Sequence, residues 1–268
     1  MDAQLAYTFT SSIFIGGAAA YMGTLMLSRK MTIVADPISH LTLPGAALAI
    51  IYGFDMFLGI FPSVLAGTAL IWFLGRKTRL PMENLTAVIF AIGVGSALLI
   101  LPVEKAEEAL VGNIEKISFA GTCFSVLLSI AIIFVAGRMY NKIMMMNINE
   151  DIARTEGIKT DVLDFVYLIS IALVVGLGVY LVGGLITAAL VAIPAGASKN
   201  ISKSLGSYKR IAIAFGVASA AGGVLIALVC HLPAGPAIIV INALIFVLSL
   251  FIPLLPSWRA GQQGHKPS

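Results

Sequence analysis

The stretch Val34–Leu48 reads VADPISHLTLPGAAL. It lies inside an apolar run, yet it carries a carboxylate, Asp36, an imidazole, His40, and two prolines, Pro37 and Pro44. An ionisable group in hydrocarbon costs about 2.5–3.5 kcal/mol on insertion scales, so such groups mark ion or substrate paths. Asp36 and His40 stand at i and i+4 and share one helix face. A carboxylate and an imidazole on one face are half of a metal site. Each proline lacks the N–H that would bond the carbonyl four residues back, and those carbonyls belong to Ile33 and His40. Free carbonyls and broken helices at membrane depth belong where a cavity or ion path runs. The plainer alternative is an Asp–His pair that locks a kink. The coincidence of charge and helix breaks favours the path.

Composition places this stretch in a bilayer. Of 268 residues, 59% are hydrophobic and 11% charged, against about 45–50% and about 25% in soluble domains. The predicted fold is all-α and polytopic, and about 20 residues per span leave room for roughly eight to ten helices. Nine spans are predicted, over about 9–28, 31–53, 54–74, 85–101, 118–136, 162–182, 185–197, 211–230 and 237–255. The seventh is short and interrupted by Pro194, and without it the count is eight. Residues 1–256 read as one membrane domain and residues 257–268 as a mobile polar tail. With the N-terminus outside and the C-terminus cytoplasmic, only Lys105 and Lys116 of the 17 basic residues fall outside, the bias that sets membrane topology.

Several function classes drop out. The net charge of +4 does not point to nucleic acid, because the basic residues lie in short turns between apolar runs. The two cysteines, Cys123 and Cys230, imply no disulfide framework, and Cys123 reads as packing. No basic residue precedes Arg29, so the first apolar run reads as a retained helix. There is no phosphate-binding G-x-x-x-x-G-K-[ST], no H-E-x-x-H and no G-x-S-x-G. The chain reads as no enzyme, and energy for uphill movement would come from a partner or an ion gradient.

Further features lie outside this stretch. Cys230 and His231 end the eighth span on the outer side, where they could join the Asp36/His40 site, form a waiting position, or cap a helix. His265 lies in the solvated tail. In the eighth span, Gly216, Ala220 and Gly223 share a face, as do Ala214, Ala218 and Gly222, a pattern for close helix packing. Asn149–Thr160, NEDIARTEGIKT, reads as a short helix over Glu150–Glu156 stopped by Gly157, suited to docking a soluble partner. The loop before the fifth span is acidic, with Glu104, Glu107, Glu108 and Glu115.

Taken together, these features resemble the integral-membrane subunit of the zinc/manganese/iron family of ABC importers, over nearly the whole chain. Val34–Leu48 is similar to the family's "gDalSHavLPGvala", matching at Asp36, Ser39, His40, Leu43, Pro44 and Gly45. Glu150–Ile158 looks like "ardElAralGi". Gly183–Ala197 with Leu232–Val240 resembles "vGvlLvsallviPaatA…lPsGpaivl". The resemblance implies a permease in the cytoplasmic membrane that pairs with a second copy. It implies two ATP-binding subunits, an extracytoplasmic metal-binding protein, no permanently bound cofactor, and ATP only in the partner. The cargo would be Zn, Mn or Fe. Asp36 and His40 would contact the metal, with Cys230 and His231 as weaker candidates. Glu150, Asp151, Ala153, Glu156, Gly157 and Ile158, within about 147–161, would couple to the ATPase. Pro37, Pro44 and Pro194 would break the helices that line the path. Some members carry an acidic/histidine pair late in the chain, whereas here Cys230 and His231 have no nearby carboxylate. Histidine and cysteine lean toward zinc, a carboxylate-rich set toward manganese. The rival readings are a permease for cobalamin or a siderophore-type chelate, a secondary cation transporter, and a membrane interaction protein that transports nothing.

Overall fold

The structure is a computed structural model and describes residues 3–78, 80–101, 117–184 and 186–252. Arg79, Lys105, Lys116, the glutamates of the acidic loop, Leu185 and the tail with Arg259, His265 and Lys266 lie outside the described residues. The helices, in order, are α1 (Ala3–Ser28), a 3-10 turn (Thr32–Val34), α2 (Ala35–His40), α3 (Leu43–Tyr52), α4 (Met56–Lys77) and α5 (Met82–Ile100). There follow α6 (Phe119–Ile148), α7 (Glu150–Thr155), α8 (Thr160–Val182), α9 (Thr187–Ile201), α10 (Leu205–Cys230) and α11 (Ala234–Phe251). No strand occurs among the described residues. Among the described residues, six helices are long and apolar enough to cross a membrane: α1, α4, α6, α8, α10 and α11. The other expected spans are shorter. The second is split into α2 and α3, the apolar part of α5 covers Asn84–Ile100, and α9 has 15 residues.

Two helices form the centre. The apolar spans of α1 and α8 are 78% and 72% buried, against 28–33% for α4, α6, α10 and α11. The composition of α1 explains its place. Its mean hydropathy is 1.3, against 2.0–2.5 for the other five, because hydroxyl and small residues replace large apolar ones. The buried Ser11 hydroxyl meets Thr122 of α6 at 3.2 Å, and Tyr140 of α6 donates to Thr24 at 3.2 Å. Gly16 lies so close to Gly216 and Ala220 of α10 that a Cβ there would strike the Gly216 carbonyl, and Gly216 is equally close to Gly16 and Ala20. The expected small face of α10 thus packs on α1, with Gly223 turned to Ile238 of α11.

Proline positions revise one expectation and refine another. Pro194 sits inside α9, which runs unbroken from Thr187 to Ile201, so the seventh apolar stretch is not interrupted there. A proline removes a single backbone bond, here the one to the Leu190 carbonyl, and the helix is held by its neighbours α1, α10 and α11. Pro37 and Pro44 do not kink one long helix. They occupy the first turns of two separate helices, α2 and α3, where an N–H has no intrahelical partner anyway. The break falls at Leu41 and Thr42, closed by short bonds from Leu41 N to Ile38 O and Thr42 N to Ser39 O.

Candidate functional site at two helix breaks

The depth of His40 follows from its neighbours on α4. The Ser63 hydroxyl donates to the Leu41 carbonyl at 2.7 Å, and Gly67 packs on the Leu41 side chain. Ser63 is about 12 Å along the helix from Asp55 at one end, and Gly67 about 14 Å from Arg76 at the other, at 1.5 Å per residue. His40 therefore lies near the middle of the bundle. A continuous helix from Lys30 would leave Asp36 about 9 Å from the basic end, and the 3-10 turn over Thr32–Val34 adds only about 1.5 Å to that.

A second break meets the first. After α8, the chain turns at Gly183, with φ +86°, and Gly184. The fully buried Ser39 hydroxyl lies 2.9 Å from the Gly184 carbonyl and 2.7 Å from that of Asp36. Thr187, at the start of α9, donates to the Gly183 carbonyl at 2.7 Å and packs on Gly178. α9 thus begins inside the bundle. On the other side of this break, Gly235 of α11 lies against Val182 and Ile186.

Asp36 and His40, four residues apart on α2, stand beside this junction. His40 Nε2 stands 4.0 Å from Asp36 Oδ1, with side chains 14% and 56% exposed. That is too long for a direct hydrogen bond. Ligand bonds of about 2.0–2.2 Å would let one cation touch both atoms, and tetrahedral ligation would draw them to about 3.4 Å apart. The imidazole packs edge-on against Phe90 of α5, with ring centroids 5.2 Å apart. Its other nitrogen, Nδ1, is buried without a partner. The pair offers one carboxylate and one imidazole to a passing ion, with the remaining positions open.

The other expected ligands lie elsewhere. Cys230 and His231 are exposed at the end of α10, with His231 in a left-handed conformation at φ +53°. Among the described residues, no three of His, Cys, Asp and Glu gather into a group able to hold a metal. Cys123 is exposed, so it faces outward rather than packing inside. Phe90, Ser63 and the Ser39–Gly184 contact escaped the sequence reading. They join residues far apart in the chain, and no local signal announces them.

The segment expected to dock is a six-residue helix, α7, capped by Asn149, whose side chain accepts from Asp151 N and Ile152 N at 2.9 and 3.1 Å. Arg154 bonds Glu150 at 2.8 Å, and that carboxylate holds its guanidinium above its usual pKa. Gly157, at φ +78°, stops the helix, and Ile158 N closes on the Ala153 carbonyl at 3.1 Å. Glu150, Asp151, Glu156 and Gly157 are exposed and Ile158 partly so. Ala153 is fully buried, so the apolar surface at this corner comes from Ile148 and Ile152, 86% and 54% exposed.

A multi-pass helical protein with an acid–imidazole pair where two broken helices meet belongs to the class of membrane transport proteins, in which irregular backbone at membrane depth lines a path. Residues 1–253 match the ABC 3 transport family, and the chain belongs to that family. It is 24% identical over 246 residues to the manganese import system permease protein ScaB of Streptococcus gordonii, covering 90% of this chain and 88% of that protein. It is 26% identical over 266 residues to the zinc transport system membrane protein TroC of Treponema pallidum, covering 94% and 89%. Its fold is similar to PsaBC from Streptococcus pneumoniae, solved in complex with Fab, with a TM-score of 0.82, 21% identity, and coverage of 99% of this chain and 96% of that one.

Proposed function

We propose that this chain is the permease subunit of an ABC importer for a divalent transition metal, manganese or zinc before iron. The observation that carries the reading is the Asp36–His40 pair at mid-depth, where the α2–α3 and α8–α9 breaks meet. Family membership and the manganese and zinc permeases among its relatives support it. A transport site must bind weakly enough to release its ion, and two protein ligands with open positions suit that need. Residues 1–256 act as one permease domain of nine membrane segments, six of full length and three short, with the tail over 257–268 in the cytoplasm. The N-terminus is outside, as the distribution of basic residues supports. The α7 end is then cytoplasmic.

The importer contains two copies of the permease, two ATP-binding subunits and an extracytoplasmic metal-binding protein that delivers the ion. Within 147–161, Glu150, Asp151, Glu156, Gly157 and Ile158 dock on the ATP-binding subunit, with Ile148 and Ile152 as their apolar contact. Closure of the ATP-binding subunits moves α7, and the path alternates between outward and inward access. Cys230 and His231, exposed at the outer end of α10, receive the ion ahead of Asp36 and His40.

Uptake of Mn, Zn and Fe in competition by the reconstituted complex tests this reading. Asp36→Ala and His40→Ala should each lower uptake of the preferred metal at least tenfold, with the complex still assembled. Uptake of all three within twofold of wild type in both variants would overturn it.

A further inference from the structure

Two ion pairs at the α7 end have no part in the site described above. Arg29, just past α1, bonds Asp164 at 2.6 Å, and Arg76, in the last turn of α4, bonds Asp161 at 2.9 Å. Both acids stand in the first two turns of α8, three positions apart and so on one face. One short face of α8 thus holds the ends of two other helices. Acids at a helix start and arginines at helix ends also suit the helix dipoles.

Each arginine is held from a second side. Arg29 lies over the Tyr167 ring at 5.1 Å and Arg76 over the Trp72 ring at 5.2 Å. Trp72 in turn packs on Phe165 of α8, with centroids 4.7 Å apart. The Arg76–Asp161 pair is half exposed, at 49% and 56%, and exposed pairs add little to static stability. A cavity of about 260 Å³ lined by Trp72, Gly75, Arg76, Leu80, Asp161 and Asp164 gives these side chains room to part and re-form.

The position of the pairs links the docking helix to the metal path. From α7 to α8 the chain has only Glu156–Lys159, fixed by the Ile158 N to Ala153 O bond and by Leu163 N to Lys159 O at 3.0 Å. A displacement of α7 therefore reaches Asp161 directly. Arg76 passes it to α4, and α4 holds the carbonyl of Leu41, the residue after His40, through Ser63. α4 also meets α3 through the Gly45–Gly59 approach.

We propose that Asp161 and Asp164 are positioning residues of the transport cycle: an ionic clasp by which the first two turns of α8 carry movement of α7 to α1 and α4, and through α4 to the His40 break. This rests on the permease reading above. The test uses the full complex in vesicles, with ATP hydrolysis and metal uptake measured together. Asp161→Asn should keep hydrolysis within twofold of wild type and lower metal moved per ATP at least fivefold. Arg76→Gln should do the same. Reversal of the pair, Arg76→Asp with Asp161→Arg, should return the ratio to within twofold of wild type, a rescue that a merely packed residue would not give. The clasp is overturned if both single variants keep the wild-type ratio, or if the reversed pair is no better than either. It is also overturned if Asp161→Asn loses the ATP-binding subunit on purification, which would assign Asp161 to docking. A wild-type complex that moves none of Mn, Zn and Fe would instead sink the permease reading itself.

Discussion

Two helix crossings in this molecule use the same device. α1 crosses α10 at Gly16 and Gly216, and α3 crosses α4 at Gly45 and Gly59; in each, a Cβ on one glycine would strike the backbone of the other. Their surroundings differ. α1 and α10 are continuous helices of 26 residues each, so the crossing cannot move without moving the whole core. α3 has ten residues between the break at Leu41–Thr42 and the left-handed Gly53, and α4 contains Pro62. Close backbone approach therefore fixes a structure only when both helices continue past it. Where one is cut short, the same contact is a pivot that keeps two elements together while they turn.

The comparison can be broken by filling each crossing. Gly216→Val should be the most damaging, because neither long helix can yield. Overpacking costs about 1–3 kcal/mol or more, and we expect the upper end, seen as a fall in melting temperature in detergent and loss of folded protein. Gly45→Val should cost less stability, nearer about 1 kcal/mol, since the short α3 can shift, but it should cut metal uptake tenfold or more. Equal losses of stability in the two variants would remove the distinction between a fixed crossing and a pivot.

Smaller changes sharpen it. Ser63→Ala removes the bond to the Leu41 carbonyl, worth about 1 kcal/mol, and should lower uptake several-fold while the melting temperature moves by a few degrees. If uptake stays within a factor of two, α4 does not steer the break. Tyr140→Phe removes the hydroxyl contact to Thr24 in the fixed core. It should cost about 0.5–1.5 kcal/mol and leave uptake per folded protein unchanged; a transport defect there would mean that the core also moves.

Much of this was legible in the sequence, for reasons that differ by residue. The breaks near Asp36 and His40 could be read from Pro37 and Pro44, because proline acts locally through its missing N–H. Whether a proline kinks a helix or starts one depends on the residues before it. The sequence reading expected one broken span where the structure has two helices. Pro194 misled in the opposite sense, because a helix held on several sides survives one missing bond. The central place of α1 had a signal in its serines, glycines and low hydropathy. That of α8, with a mean hydropathy of 2.5, had none, since lipid and protein interior are equally apolar and select no different composition. The short helix α7 was visible from its Gly157 stop. Its inward-facing Ala153 was not, nor were Phe90 and the arginine–aspartate pairs, which span 135 and 85 positions of chain.

The length of α6 has a consequence of its own. Its 30 residues extend about 45 Å at 1.5 Å per residue, whereas the hydrocarbon core of a bilayer is about 30 Å thick. About 15 Å of α6 is therefore more than the hydrocarbon core needs, enough to set α7 at the level of the headgroups rather than among the acyl chains. At that level the polar Glu150, Asp151 and Arg154 meet water and headgroup charge, so α7 needs no apolar burial on its exposed side to hold its place.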